Sequence, residues 1–483
     1  MMTHSLKTIL HDFIELDFDV QLSGLCLDSR QVKPRDLFFA YPGTQTDGRK
    51  FIDDAMMRGA AAVVCDGETI AVRVQNDVPI ITLPMLSQKV SAIASCFYDH
   101  PSHDLTVIAV TGTNGKTSCC YLLAQALKKL NRKAVFIGTL GHGDTDDLKS
   151  HTGTTPDAIT LQRLLFEYRA QGVDVVAMEA SSHALDQGRL AGVKVAIGVL
   201  TNVTRDHLDY HHDMQSYADA KYRLFEMSGI HAAVLNLDDE TGREWKNRLK
   251  KVKTVGYGLH HPAAISAQNI QLSMEGIVAE VCGSFGSGQL TSHLLGDINI
   301  SNLLAVLSVL MILNYSMQNS LAAISVLSTV PGRLQVVSQC HPIVVIDYAH
   351  TPDALEKTLA TLRQLCQHDL HCVFGCGGDR DVGKRPMMAR VAEQFADYIV
   401  LTDDNVRKED PEKIFSDIKK GFLLLDKVHV EHDRKKAIQY ALHHAQKGDV
   451  VLIAGKGHEN YQIIGDHVIA FSDHQVVKEL LEE

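Results

Sequence analysis

Short unbroken apolar runs alternate along this chain with longer amphipathic stretches, a rhythm that predicts parallel strands covered on both faces by helices. In the first hundred residues the runs Leu37 to Tyr41, Ala60 to Cys65 and Val78 to Leu83 predict strands, with a helix from Phe51 to Arg58 between them. Two polar loops interrupt this region, Leu27-Asp28-Ser29-Arg30 and Gly43-Thr44-Gln45-Thr46-Asp47-Gly48-Arg49, and on local chemistry alone each reads as a turn rather than a site. His100-Pro101-Ser102-His103 predicts a linker. Beyond it, Val107 to Val110, Ala134 to Leu140, Val173 to Met178, Val195 to Leu200 and Ala232 to Leu237 predict strands, with helices over Ile159 to Gln171 and about Asn302 to Leu313. Residues 269–295 break the rhythm with polar, glycine-containing segments that predict an antiparallel appendage. After Thr329-Val330-Pro331-Gly332-Arg333, strands are predicted at Ile343 to Ile346, Cys372 to Phe374, Tyr398 to Leu401, Val428 to Val430 and Val450 to Ile453. The expected fold is α/β in three domains: a small one over 1–103, a central one with a mostly parallel sheet over 104–331, and a doubly wound one over 332–483.

The run Val107 to Val110 leads directly into Thr111-Gly112-Thr113-Asn114-Gly115-Lys116-Thr117-Ser118 and then an alanine- and leucine-rich helix. Strand, glycine-rich loop and helix in this order form a phosphate cradle, because glycines let backbone N–H groups turn toward an anion and the helix start adds its positive end. Lys116 is placed to reach β- and γ-phosphates, and the Thr117 hydroxyl to hold Mg²⁺. The spacing departs from G-x-x-x-x-G-K-[ST], since position 110 is valine. The strand and helix context therefore carries the assignment against a chance glycine-rich turn.

Polar clusters follow the predicted strands, at the strand ends where ligands bind in open α/β sheets. Glu179-Ala180-Ser181-Ser182-His183, Thr201 to His207 and Asp238-Asp239 stand beside the phosphate loop, and Glu179 and His207 are candidate magnesium ligands. In the third region no G-x-G-x-x-G follows the first strand, which argues against a dinucleotide cofactor. Its strand ends carry Asp347 to His350, Gly375 to Arg380, Asp403 to Arg407 and Gly455 to Glu459, a mix of arginines and carboxylates that suits a zwitterionic ligand. Either arginine, Arg380 or Arg407, taken alone is as well a solvated loop tip.

Composition narrows the class. With 483 residues, 45% hydrophobic and 22% charged, the chain is long enough for about three ordinary globular domains. A formal net charge of −11 and the lack of a basic run argue against a general nucleic-acid binder. Asp12, Glu15, Asp17 and Asp19 interrupt the N-terminus, unlike a signal peptide, and no charge-free window is long enough to insert in a membrane. Ten cysteines, scattered singly or as Cys119-Cys120, predict reduced thiols in a cytoplasmic protein.

Taken together, Gly112-Thr113-Asn114-Gly115-Lys116-Thr117, Glu179-Ala180-Ser181-Ser182-His183, Asp347-Tyr348-Ala349-His350-Thr351-Pro352-Asp353 and Gly375-Cys376-Gly377-Gly378-Asp379-Arg380 resemble the Mur ligases of peptidoglycan synthesis, and within them the branch that adds the third amino acid of the stem peptide. The resemblance implies a UDP-binding N-terminal domain, a central ATPase domain and a C-terminal domain that brings the amino acid. It implies that Leu27, Ser29, Thr44, Gln45 and Thr46 hold the uridine diphosphate, and that Thr154, Thr155, Ser181, Gln187 and Arg189 hold the muramoyl dipeptide. Gly112 to Ser118, Asn299, Asn302, Arg333 and Asp347 would contact ATP. Lys221, which by pattern alone is a solvated helix lysine, matches one that is carried as a carbamate; with Thr117, Glu179 and His207 it would hold magnesium.

The implied reaction is ATP-driven amide formation through an acyl phosphate, with Lys116, Glu179, His207 and Lys221 as catalytic groups. Arg380, Asp404, Asn405, Val406, Arg407, Gly455 and Glu459 match positions that contact meso-diaminopimelate. The family's Asp-Asn-Pro-Arg form of the 404–407 loop goes with that amino acid, whose second carboxylate a guanidinium grips through two hydrogen bonds. Here Val406 replaces the proline while Arg407 is kept. The expected partners are small molecules only, UDP-muramoyl dipeptide, meso-diaminopimelate and Mg-ATP, acted on by a monomer. L-lysine addition, a neighbouring Mur-type ligase and a nucleotide-driven switch protein are the alternatives.

Overall fold

The computed structural model describes residues 4–43, 46–151, 153–338 and 342–482. Thr44 and Gln45 lie outside the described residues. Three sheets dominate, and each of the apolar runs marks a strand in one of them.

In the N-terminal sheet the order is Gly24–Cys26, Asp36–Ala40, Ala62–Asp66, Val78–Leu83 and Ala71–Gln75, parallel except for the last pair. Alternation divides the side chains: Leu37, Phe39, Val64 and Ile81 pack toward the helix Val90–Phe97, whereas Phe38, Val63 and Ile80 pack toward Ala55 of the helix Ile52–Met57. The edge strand Ala71–Gln75 leaves Val72 and Val74 exposed.

The central sheet has eleven strands, ordered Asp147–Lys149, Gly141–Asp144, Ala134–Gly138, Val175–Glu179, Thr106–Thr111, Val195–Leu200, Ala232–Asn236, Lys253–Gly258, Ile265–Ser273, Gly276–Gly283 and Gly286–Ser292. Thr106–Thr111 comes first in the chain among the parallel strands, yet it lies between Val175–Glu179 and Val195–Leu200. The chain thus winds outward to both sides from this strand. Its C-terminal end is a topological switch point, where an open α/β sheet leaves a crevice for a ligand. The antiparallel strands after residue 264 are not a separate appendage: Tyr257 pairs in parallel with Ile265, so they extend the same sheet.

The C-terminal sheet runs Gln335–Ser338, Ile343–Asp347, Val450–Ala454, Leu370–Phe374, Tyr398–Leu401 and Val428–Val430, with only the first strand antiparallel. Apolar clusters cover both faces, as a doubly wound fold requires.

The stretch His100 to His103 is a packed joint rather than a loose linker. It forms a 3-10 turn over Pro101–His103, and the fully buried Ser102 hydroxyl accepts the backbone N–H of Lys194 at 2.9 Å. The C-terminal domain touches the phosphate loop itself, where Asn114 Nδ2 donates to Asp353 Oδ2 at 2.7 Å. Among the described residues no helix is long and apolar enough to cross a membrane.

Candidate active site at two sheet edges

The loop after Thr106–Thr111 turns through two glycines, and here the conformational demand is explicit. Gly112 has φ +146° and Gly115 φ +86°; a Cβ on Gly112 would lie 1.8 Å from Thr201 Oγ1, and one on Gly115 would lie 2.7 Å from Asn302 Oδ1. The strand end Thr201-Asn202 braces the loop from the other side: Thr201 Oγ1 donates to the carbonyl of Asn114 at 2.6 Å, and Asn202 accepts from Asn114 N at 3.0 Å. The helix Lys116–Lys129 begins at the end of this loop, aiming its N-terminus at the crevice.

Two lysines converge on one backbone oxygen. Lys116 Nζ donates to Gly112 O at 2.9 Å and to Thr113 O at 2.8 Å, and Lys221 Nζ donates to Gly112 O at 2.8 Å. Lys221 is 1% exposed, on the helix Met214–Tyr222, with its ammonium 4.2 Å from the centre of the Tyr217 ring. Burial, reinforced by the Lys116 charge, pushes the Lys221 amine well below its usual pKa. Burial also lowers Lys116, opposed by the Glu179 carboxylate.

Glu179 ends the strand Val175–Glu179 and is almost wholly buried. It accepts from Thr139 N at 2.7 Å and from Thr139 Oγ1 at 3.3 Å, and Thr117 also donates to it. Burial raises its carboxyl and Lys116 works against that rise. Close by, Thr155 donates to Glu179 O at 2.8 Å and to Ser181 Oγ at 3.2 Å, while Arg189 reaches Thr155 O at 2.8 Å and Gln187 Oε1 at 2.6 Å. Thr154 accepts from Thr139 at 3.2 Å. This run of hydroxyl, amide and guanidinium groups leads away from the phosphate loop along the sheet edge. Asn299 and Asn302, in the first turns of Asp297–Ile312, are bonded to one another at 3.1 Å.

Across the crevice, the strand ends of the C-terminal sheet hold a second cluster. Asp347 accepts from Leu334 N at 2.6 Å and Ala349 N at 2.8 Å, and the Arg333 guanidinium lies 4.4 Å over the Tyr348 ring. Asn405 donates to Glu459 Oε2 at 3.0 Å and accepts from Lys456 Nζ at 3.2 Å. Arg407 takes φ +53° and donates to Gly378 O at 2.9 Å, its backbone held by Ile463 O and Gly465 N. Asp404 is buried against Gly455, and the cations Lys456 and Arg434 hold its carboxyl below the usual range although burial alone would raise it.

Three family descriptions match the chain in sequence: "Mur ligase family, catalytic domain" over residues 21–98, "Mur ligase middle domain" over 110–310, and "Mur ligase, glutamate ligase domain" over 332–457. The chain is a Mur ligase. It is 47% identical to a protein of Coxiella burnetii named UDP-N-acetylmuramoyl-L-alanyl-D-glutamate--2,6-diaminopimelate ligase, over 96% of this chain and 97% of that one. A protein of the same name from Haemophilus influenzae is 43% identical over 98% and 99%. A solved structure titled with this ligase name superimposes with a TM-score of 0.72 at 37% identity, covering 100% of this chain and 99% of that one.

Within this Mur ligase the central-sheet candidates Gly112 to Ser118, Thr154, Thr155, Glu179, Ser181, Gln187, Arg189, Lys221, Asn299 and Asn302 gather around one sheet edge. Leu27 and Ser29 lie on the separate N-terminal sheet edge, Ser29 buried and Leu27 half-buried; Thr46 is exposed. His207 adopts φ +53° with its side chain 47% exposed, 3.5 Å from Asp206 and packed on His183. Among the described residues no three His, Cys, Asp or Glu side chains converge into a metal cluster. Arg380 is exposed, whereas Asn405, Glu459 and Lys456 interlock. Sequence reasoning missed Thr139, and it named Asp353 and Lys456 only as members of motifs, without a role. Thr139 and Asp353 act through contacts 40 and 239 residues distant, which no local pattern reveals, and Lys456 was visible only as one charge inside the Gly455 to Glu459 motif.

Proposed function

We propose that this Mur ligase joins meso-diaminopimelate to the D-glutamate side-chain carboxylate of UDP-N-acetylmuramoyl-L-alanyl-D-glutamate, at the cost of ATP. The names of the curated relatives support the substrates, and one structural observation carries the chemistry. An anion cradle with two convergent lysines faces a separate loop cluster that holds an arginine, an asparagine and a glutamate in fixed positions.

A carboxylate resists attack because its charge repels the nucleophile and its oxide leaves poorly. Transfer of the γ-phosphoryl group to it removes both obstacles, and the amine then displaces phosphate. Lys116 spreads the charge of the moving phosphoryl group, and the N–H groups from Gly112 to Ser118 hold the phosphate chain. Asn299, Asn302, Arg333 and Asp347 take the rest of the nucleotide, with Arg333 and Asp347 supplied by the C-terminal domain. Thr154, Thr155, Ser181, Gln187 and Arg189 orient the dipeptide, and the N-terminal domain, through Leu27, Ser29 and the 44–46 segment, anchors the uridine diphosphate. Arg407 grips the distal carboxylate of diaminopimelate while Glu459, held by Asn405, takes its ammonium.

Magnesium fits these residues: Thr117 and Glu179 present hard oxygens that already touch, and a magnesium ion keeps most of its other positions for water and phosphate oxygens. Bound there, it would neutralise charge on the phosphates. His207 and a carbamate on Lys221 complete the proposed donor set. A carbamate forms when a neutral amine adds carbon dioxide, and burial of Lys221 disfavours its ammonium in the direction that this addition needs. We place the enzyme in the cytoplasm, working as a monomer.

The deciding experiment is phosphate release with Mg-ATP and the UDP-muramoyl dipeptide, comparing meso-diaminopimelate, L-lysine and no amine. Release dependent on diaminopimelate is expected. Release with lysine instead would discard the Arg407 argument, and release indifferent to amine would replace the ligase by a nucleotide switch.

A further inference from the structure

The C-terminal loop cluster contains a cation that the proposed reaction leaves without a role. Lys456 follows the strand Val450–Ala454, and its side chain is fully buried. Its ammonium donates to Glu459 Oε2 at 3.0 Å and to Asn405 Oδ1 at 3.2 Å, and lies 5.6 Å from the centre of the Tyr461 ring. Asn405 Nδ2 donates to the same Glu459 oxygen at 3.0 Å. Oε2 is thus bound from within on two sides, while Oε1 has no such bond among the described residues. Asp404, behind Gly455, feels the same ammonium. The nearby Arg434 is committed to Asp473 at 2.7 Å, with both side chains fully buried. With Arg380 exposed to solvent and Asp403 paired to His432 at 3.1 Å, two cations, Arg407 and Lys456, balance two carboxylates, Asp404 and Glu459, at the loop that meets the incoming amino acid.

We propose that Lys456 is the positioning residue that sets amino-acid selectivity: its buried ammonium fixes which Glu459 oxygen faces the substrate and keeps the cluster neutral. The inference rests on the ligase reading above. Diaminopimelate brings a second carboxylate to the loop and lysine brings only an ammonium. Without the Lys456 charge the cluster is one unit more negative, which repels the carboxylate and welcomes the bare ammonium. The same loss leaves Glu459 Oε2 held by Asn405 Nδ2 alone, while Asn405 Oδ1 keeps the backbone N–H of Ile463 at 3.0 Å.

Lys456→Met removes donor and charge, and Lys456→Gln keeps a donor without the charge. In steady-state phosphate release, Lys456→Met is expected to raise KM for diaminopimelate by on the order of tenfold or more, with KM for Mg-ATP and for the UDP-dipeptide within about twofold of wild type. The ratio of kcat/KM for diaminopimelate over L-lysine should fall by on the order of tenfold in both variants. An equal loss with both amines, or a KM for ATP that rises in step, would overturn the proposal and leave Lys456 as a prop of the fold. A wild-type ratio in Lys456→Gln would overturn the charge argument. Should Lys456→Met fail to fold, Lys456→Gln carries the test, its fold checked by an unchanged melting temperature and ATP affinity. Wild-type phosphate release that does not depend on diaminopimelate refutes the diaminopimelate reading instead, a result separate from any ratio among variants.

Discussion

At the central sheet edge two lysine side chains meet one carbonyl, that of Gly112, and Glu179 is the buried carboxylate beside them. At the C-terminal sheet edge Lys456 already meets Glu459 and Asn405, and Arg407 already meets two backbone carbonyls. The first cluster gathers lysine side chains, a buried carboxylate and the backbone N–H groups of the glycine-rich loop in one confined place, so it is completed by a polyphosphate and its counter-cation. The second is neutral and internally bonded, so it gains little from charge alone and discriminates by where its groups are held. One edge supplies driving force and the other supplies choice.

The comparison breaks most visibly at Lys116. Lys116→Met should cut turnover by on the order of 10³-fold while the C-terminal cluster still binds the amino acid, because only the charge on the moving phosphoryl group loses its partner. Binding of diaminopimelate by calorimetry, in the presence of the UDP-dipeptide, separates the two edges; loss of both functions would mean that they act as one site. Lys221→Ala should lower turnover by on the order of 10²-fold, with partial recovery on adding short carboxylic acids that replace the missing anion. Full activity in the plain variant would remove the carbamate from the scheme.

At the other edge, Arg407→Ala should cost about 2 kcal/mol in kcat/KM for diaminopimelate, roughly thirtyfold, with KM for ATP unchanged. An equal rise in both KM values would show that the loop shapes the whole crevice. The guanidinium is held by backbone oxygens of Gly378 and Asn405 rather than by a carboxylate, so its charge remains available to a substrate carboxylate.

The two edges also differ in how far the sequence exposed them. Strands such as Val195–Leu200 and Tyr398–Leu401 coincide with their apolar runs, because a parallel strand buried on both faces is apolar at every position. The edge strand Ala71–Gln75 and the short Gly24–Cys26 carry no such run: one is solvated and the other is set by its pairing to Asp36–Ala40. The phosphate loop was legible because its chemistry is local, with strand, glycines, lysine and helix contiguous in the chain. Lys221 was not, since nothing around Ala218 to Tyr222 announces a bond to a carbonyl 109 residues away. The C-terminal cluster was legible as four polar strand ends but not as a network. Val406 illustrates the limit: it is 3% exposed in the C-terminal core, and the rigidity that proline would lend comes instead from hairpin bonds between Arg407 and residues 463 and 465.

The smallest effect tests the seam between the two edges. His458 packs against Tyr348 on the C-terminal side, and its ring reaches the backbone of Thr139, the residue that holds Glu179. Burial, with Arg333 adding repulsion, lowers its pKa to about 4 from the ordinary 6.5. Because the unfolded chain takes up the proton more readily than the folded one, the neutral imidazole's contribution is fully present above pH 6.5 and is lost as pH falls from 6.5 toward 4. At pH 5.5 this amounts to about 1 kcal/mol, allowing for the partial exposure of the ring. Melting temperatures at pH 7.5 and 5.5 should therefore converge in His458→Gln relative to wild type, the difference of differences cancelling other histidines such as His183, also lowered to about 4. Parallel pH slopes in the two proteins would mean that the seam carries no protonation cost, and that the C-terminal cluster rests on the phosphate loop through Asn114 and Asp353 rather than through the imidazole.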